Sequence, residues 1–181
     1  MRIKVGVMGS AGDTLPEGVA EELRAKAEAL GGAIAARGCV ALTGGTTGLP
    51  HLVGAAAHGA GGLHVGISPA SDAREHVERY RLPLEATDIL VYTGFGLKGR
   101  NVVLVRSCDI VLILRGGMGT LNELTIAHDE GRVVGCLAGT GGAADEAGRL
   151  LRALPTKTGA AVLFDEDPSR LLSNCLAALK Q

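Results

Sequence analysis

The run Ile110 to Leu114 holds five apolar residues in a row, and Arg115-Gly116-Gly117 follows it at once. A strand that meets water on one face alternates apolar and polar residues, whereas an unbroken apolar run is a strand covered on both faces. Ile3 to Met8, Cys39 to Thr43, Leu63 to Ile67, Ile89 to Tyr92, Val133 to Leu137 and Val162 to Phe164 read as further strands. Helix-patterned stretches lie between them. They are Thr14 to Arg37, Leu49 to Ala60, Leu97 to Ser107, a segment opened by Gly116-Gly117-Met118-Gly119-Thr120 that reaches about Glu130, Ala143 to Leu154, and Pro168 to Leu179. Thr14-Leu15-Pro16-Glu17 has the form of a capped helix start, and Gly38 that of a helix stop. Asp72 to Tyr80 is polar and suggests a short surface helix. Strand and helix alternate from end to end. That order predicts one α/β domain over residues 1–181, a doubly wound parallel sheet in a Rossmann-like three-layer α/β/α sandwich.

The 28 glycines gather where strands hand over to helices. In open α/β sheets ligands bind at those carboxyl ends. The first such loop carries Gly6, Gly9 and Gly12 with Ser10 between, a spacing of G-x-x-G-x-x-G rather than G-x-G-x-x-G. The second strand ends in Thr43-Gly44-Gly45 and not in the acidic residue that a nicotinamide dinucleotide's ribose requires. Binding of NAD in the usual mode is therefore not expected.

Gly44-Gly45-Thr46-Thr47-Gly48 joins a strand to a helix. Such a loop lets the backbone approach an anion, and the helix start presents free N–H groups. Alone, it reads equally well as a tight turn that needs positive φ. Gly116-Gly117-Met118-Gly119-Thr120-Leu121-Asn122-Glu123 is the stronger signal and forms a second candidate cradle. Thr120-x-x-Glu123 also has capping-box spacing, so Glu123 is either a structural cap or a carboxylate set beside a phosphate. Arg100 and Asn101 lie near the start of the intervening helix, where Arg100 can hold a phosphate bidentately or simply be solvated.

In this order and at these separations, Gly44-Gly45-x-x-Gly48-Leu49, Arg100 and Gly116-Gly117-x-Gly119-Thr120-x-x-Glu123 resemble the LOG-like (Lonely Guy) proteins of the SLOG superfamily. The resemblance runs from the first strand to the strand at Val133. It implies a Rossmann-like nucleotide-binding fold and a homodimer or larger assembly. In the family's enzymes a nucleoside 5′-monophosphate is cleaved into base and ribose 5-phosphate, and the resemblance places Arg100 and Glu123 in that reaction. Three positions depart from the enzymes: Arg115 stands for Pro, Asn101 for Lys and Pro50 for Met. The pattern is closer to a shorter subgroup similar to the molybdenum cofactor carrier proteins. These share the Arg-Asn and Gly-x-Gly-Thr-x-x-Glu elements and bind their ligand without known turnover. Two functions are thus expected: phosphoribohydrolase, or carrier or sensor of a phosphorylated ligand such as the molybdenum cofactor. Gly9, Ser10, the residues 44–48, Asn101 and the residues 116–120 would contact that ligand. No required cofactor and no metal site are expected.

Composition excludes other classes. A net charge of -1 and a pI of about 6.5 give no basic stripe for a nucleic-acid polymer, and two Tyr, two Phe and no Trp give few stacking platforms. No apolar run is long enough to span a bilayer, and no leader pattern opens the chain. Cys39, Cys108, Cys136 and Cys175 each sit among apolar residues, which suits buried thiols in the cytoplasm. His51 and His58, seven apart on one helix, and His128 with Asp129 read as surface or interface residues. Lys98 does not by itself make a pyridoxal phosphate site. Apolar crowding at Leu97, Val102, Val103, Leu104 and Val105, and the alanine-rich helix from Leu49, are the features that suggest helix packing between two copies.

Overall fold

The computed structural model describes residues 1–12 and 20–179. The expected helix start at Thr14 to Glu17 falls outside them. Seven strands form one parallel sheet: β1 (Lys4–Gly9), β2 (Val40–Thr43), β3 (Leu63–Ser68), β4 (Ile89–Tyr92), β5 (Ile110–Leu114), β6 (Val133–Leu137) and β7 (Ala161–Asp165). Their order is β4-β3-β2-β1-β5-β6-β7. Among the described residues, five α-helices lie between strands, α1 (Ala20–Ala36), α2 (Leu49–Gly59), α3 (Gly96–Arg106), α4 (Met118–Asp129) and α5 (Gly142–Ala153), and a sixth, α6 (Pro168–Ala178), follows β7.

The central strands are apolar throughout because both faces are covered. Val5, Val7, Ile110, Leu112 and Leu114 join Leu30 and Ile34 of α1, Val53 of α2 and Leu171 of α6 in one core. Met8, Val111 and Ile113 point the other way, into a core with Leu104 of α3, Leu124 of α4 and Ala147 of α5. The result is a three-layer Rossmann-like sandwich. All four cysteines are buried thiols, as their apolar neighbours imply.

Ala57 of α2 is buried in this core, and Ala56 lies against α1. A side chain on Gly31 of α1 would stand 2.3 Å from Val53 O and 2.6 Å from Ala56 Cβ, so the small residues let α1 and α2 touch. The apolar crowding of α3 divides in two. Leu104 and Val105 are fully buried, whereas Leu97 and Val102 are exposed. Val105 is thus a core residue and not the interface position its sequence neighbours suggest.

The connection from β3 to β4 departs most from the sequence reading. Asp72 to Tyr80 is not a plain surface helix but holds a π-helical turn, Glu75–Arg79, that buries His76. The His76 ring joins Ser68 Oγ at 2.8 Å and the Pro83 carbonyl at 3.0 Å. His64 makes a parallel link, from Thr43 Oγ1 at 2.9 Å to the Ala86 carbonyl at 2.6 Å. Since a carbonyl only accepts, each ring donates to it, and its other nitrogen meets the hydroxyl. Two buried histidines therefore strap this connection to the ends of β2 and β3. Burial pushes the pKa of His64 down, which favours its neutral form.

Candidate functional site

The strand order reverses between β1 and β5. Helix α1 packs on one face of the sheet and α4 on the other. The chain diverges beyond the carboxyl ends of these two strands and leaves a crevice there, the usual binding place of such sheets. A cleft of about 350 Å³ lies there.

Three walls make it. The first is the end of β1, from Val7 to Ala11. The second is the start of α4, with Gly117, Gly119, Thr120 and Glu123. The third is formed by Gly44, Thr46 and Pro50 together with Leu97, Lys98, Arg100 and Asn101 of α3. Gly44 has a specific task here. A Cβ at this position would stand 2.3 Å from Arg100 Nη1 and 2.6 Å from Cζ, so the missing side chain is the seat of the guanidinium.

At the floor, Arg100 Nη1 donates to Glu123 Oε1 at 3.3 Å. The Asn101 amide, turned to suit its neighbours, donates to the same oxygen at 3.1 Å and to Leu97 O at 3.0 Å. Glu123 is only 7% exposed and Arg100 6%. Burial pushes the Glu123 carboxyl up to about 7, with Arg100 and then Lys98 pulling it back. Burial also draws the Arg100 pKa down while Glu123 raises it. Among the described residues, Arg100 Nε is buried with no hydrogen-bond partner. An orphaned donor beside a cleft is a group that a ligand's oxygen can satisfy.

The capping box expected at Thr120 and Glu123 does not form. Gly117 is the N-cap of α4 and makes no side-chain bond. Thr120 Oγ1 instead donates to Gly9 O at 3.1 Å, which ties α4 to the end of β1, and Glu123 turns to Arg100. The first helical bond runs from Leu121 N to Gly117 O, so the N–H groups of Met118, Gly119 and Thr120 precede it at the open end. Lys98 Nζ would lie 3.1 Å from a Cβ on Gly119, which puts a cation beside these donors.

Gly9, Ser10, Gly44, Thr46, Arg100, Asn101, Gly117, Gly119, Thr120 and Glu123 thus come together around one space. The other expected residues stand apart from it. Gly45, at φ 60°, turns towards Leu90, and Thr47 Oγ1 accepts from Gly12 N at 3.1 Å. Gly48 caps α2, whose Leu49 N–H is taken by Ser10 O at 3.0 Å. Gly116 packs on Thr120, and the Met118 side chain is exposed. Lys98, Pro50, Leu97, Met8, Val7 and Ala11 line the cleft without having been singled out for it. Lys98 carried a legible signal, since it lies two residues before Arg100. Among the described residues no group of His, Cys, Asp and Glu side chains could hold a metal ion.

Residues 2–172 match the sequence profile of the SLOG cluster4 family. The chain belongs to the SLOG cluster4 family. Solved structures similar to this SLOG protein over nearly its whole length include the X-ray structure of TM1055, with TM-score 0.84 and 28% identity, covering 97% of this chain and 99% of that one. Another is the molybdenum cofactor binding protein of the phototrophic bacterium Rippkaea orientalis, with TM-score 0.77 and 26% identity, covering 100% and 99%. A third is the molybdenum cofactor carrier protein of Chlamydomonas reinhardtii, with TM-score 0.79 and 25% identity, covering 99% and 100%. One departure from the LOG-like enzymes gains a physical meaning in this SLOG fold. Arg115 has φ 52°, and a proline, held near about −65°, could not take its place without remaking the turn.

Proposed function

We propose that this protein binds a small phosphorylated ligand of the pterin or nucleotide class in the β1–β5 cleft and holds it unchanged, as a carrier or sensor. One observation carries this reading. The carboxylate that would do the chemistry is largely buried in the floor, its Oε1 accepting from both Arg100 and Asn101. It serves there as an anchor for the arginine. The phosphate would sit on the N–H groups of Gly117 to Thr120, where the helix end, Ser10 and Lys98 all favour an anion. Pro50 and Leu97 offer an apolar wall to a flat ring, and a volume of about 350 Å³ suits a ligand of that size. The similar structures named for molybdenum cofactor put that ligand first among those to try. Four buried thiols suit the cytoplasm as the place of action.

The test is a melt with and without ligand, followed by recovery of the ligand. At 100 times Kd a bound ligand stabilises by about 2.7 kcal/mol and is recovered intact. A panel of molybdenum cofactor, AMP and GMP that leaves the melt unmoved overturns the reading.

A second reading rests on a different observation. A carboxyl with a pKa of about 7 can trade a proton near neutral pH, and an oxocarbenium-like ribosyl transition state is stabilised by a carboxylate. On this reading the protein is a nucleoside 5′-monophosphate phosphoribohydrolase. Incubation with AMP should then release adenine, and Glu123→Gln should abolish release while leaving binding intact. Unchanged AMP after prolonged incubation with folded protein rejects it.

A further inference from the structure

The β6–α5 loop takes no part in the cleft lining, yet it controls the backbone that does. Thr140, 3% exposed, donates through Oγ1 to Leu137 O at 2.7 Å and accepts from Arg115 N at 2.9 Å. Arg115 Nη1 returns a bond to Thr140 O at 3.1 Å. The first N–H groups of α5 complete the join: Ala144 N donates to Arg115 O at 3.0 Å and Ala143 N to Gly116 O at 2.9 Å. Gly142, at φ 60°, makes the approach, because a Cβ there would stand 2.2 Å from Gly116 O.

In a trans peptide, the C=O of one residue and the N–H of the next point in opposite directions. With the Arg115 and Gly116 carbonyls drawn to α5, the N–H groups of Gly116 and Gly117 are turned the other way. The first of these can be checked directly. Gly116 N donates to Ser10 Oγ, a cleft residue, at 3.2 Å. The second belongs to Gly117, which lines the cleft itself. The start of α5 thus orients the donors in front of α4.

We infer that Thr140 is a positioning residue which, with Arg115 and the N–H groups of Ala143 and Ala144, sets the second glycine loop in its anion-binding form. The device belongs to this chain's own departure at Arg115. A proline there has no N–H to give Thr140 and cannot adopt the left-handed turn. The inference rests on the proposed phosphate site, and its experiment separates the two.

The variants are Thr140→Val, which keeps the shape and loses the hydroxyl, and Thr140→Ser, which restores it. AMP is the probe, followed by calorimetry, and the amide NMR signals of Gly116 and Gly117 are recorded without AMP. The expected result is a Kd raised tenfold or more and displaced Gly116 and Gly117 signals in Thr140→Val, with both restored in Thr140→Ser. Thr140→Ala carries the same comparison if the valine folds poorly. A Thr140→Val protein that is folded, with unmoved glycine signals and wild-type AMP affinity, overturns the inference. If wild type itself does not bind AMP, the amide signals alone decide: displaced in Val and restored in Ser supports the clamp, and unmoved refutes it.

Discussion

Glu123 and Arg100 are the two most buried charges of the cleft. Arg100 depends on Gly44 having no side chain. Gly44→Ala should drive the guanidinium from its seat, destabilising the protein by about 1–3 kcal/mol and weakening AMP or cofactor binding at least tenfold, as read by thermal melting and calorimetry. Glu123 titrates high because its charged form is buried. The folded state then holds a proton between pH 4.5 and about 7 that the unfolded chain has lost, so stability from this group is full below 4.5 and falls as pH rises through 7. Glu123→Gln should remove this slope, on the order of 3 kcal/mol across the window, when its urea unfolding is compared with wild type at each pH. Identical pH profiles would mean that Glu123 is charged and well solvated in the fold. Arg100, Glu123 and Ser10 were legible from their places beside glycine-rich junctions. The capping box was a misreading of spacing: Gly117 can end the loop as readily as Thr120, and nothing local says which residue is the N-cap.

At the scale of elements, β5 and β6 begin and end where their apolar runs do, because strands buried on both faces leave no polar residue to blur the edge. Residues 69–88 were opaque for the opposite reason. Their polar pattern conceals two histidine straps that form only when His64 and His76 meet hydroxyls from β2 and β3. The helix α3 was half legible, since its apolar residues face two directions and composition does not say which. Val105→Asp places a charge in the core and should cost several kcal/mol or abolish folding, whereas Val102→Asp should fold like wild type by circular dichroism. Similar losses in both variants would show that the outer face of α3 is covered in solution.

For the whole molecule, the exposed Leu97, Val102 and Phe95 form the surface on which a second copy would pack. Light scattering at micromolar concentration should report a mass above one 18.4 kDa chain, and Val102→Asp should reduce it to that value. A wild-type protein of single-chain mass rejects the homodimer.

The pairing of β1 with β5 has a consequence in time. Val5 lies beside Ile110, and Lys4 bonds to Asp109 across 105 positions of sequence. Everything between must be made before the two strands can meet. Contacts this distant in sequence close late and slowly during folding. The cleft, opened by their divergence, is therefore among the last features to appear. A chain still emerging from the ribosome has no place for a ligand until α4 is out, so a bound ligand cannot guide the early steps and can only secure the finished ones.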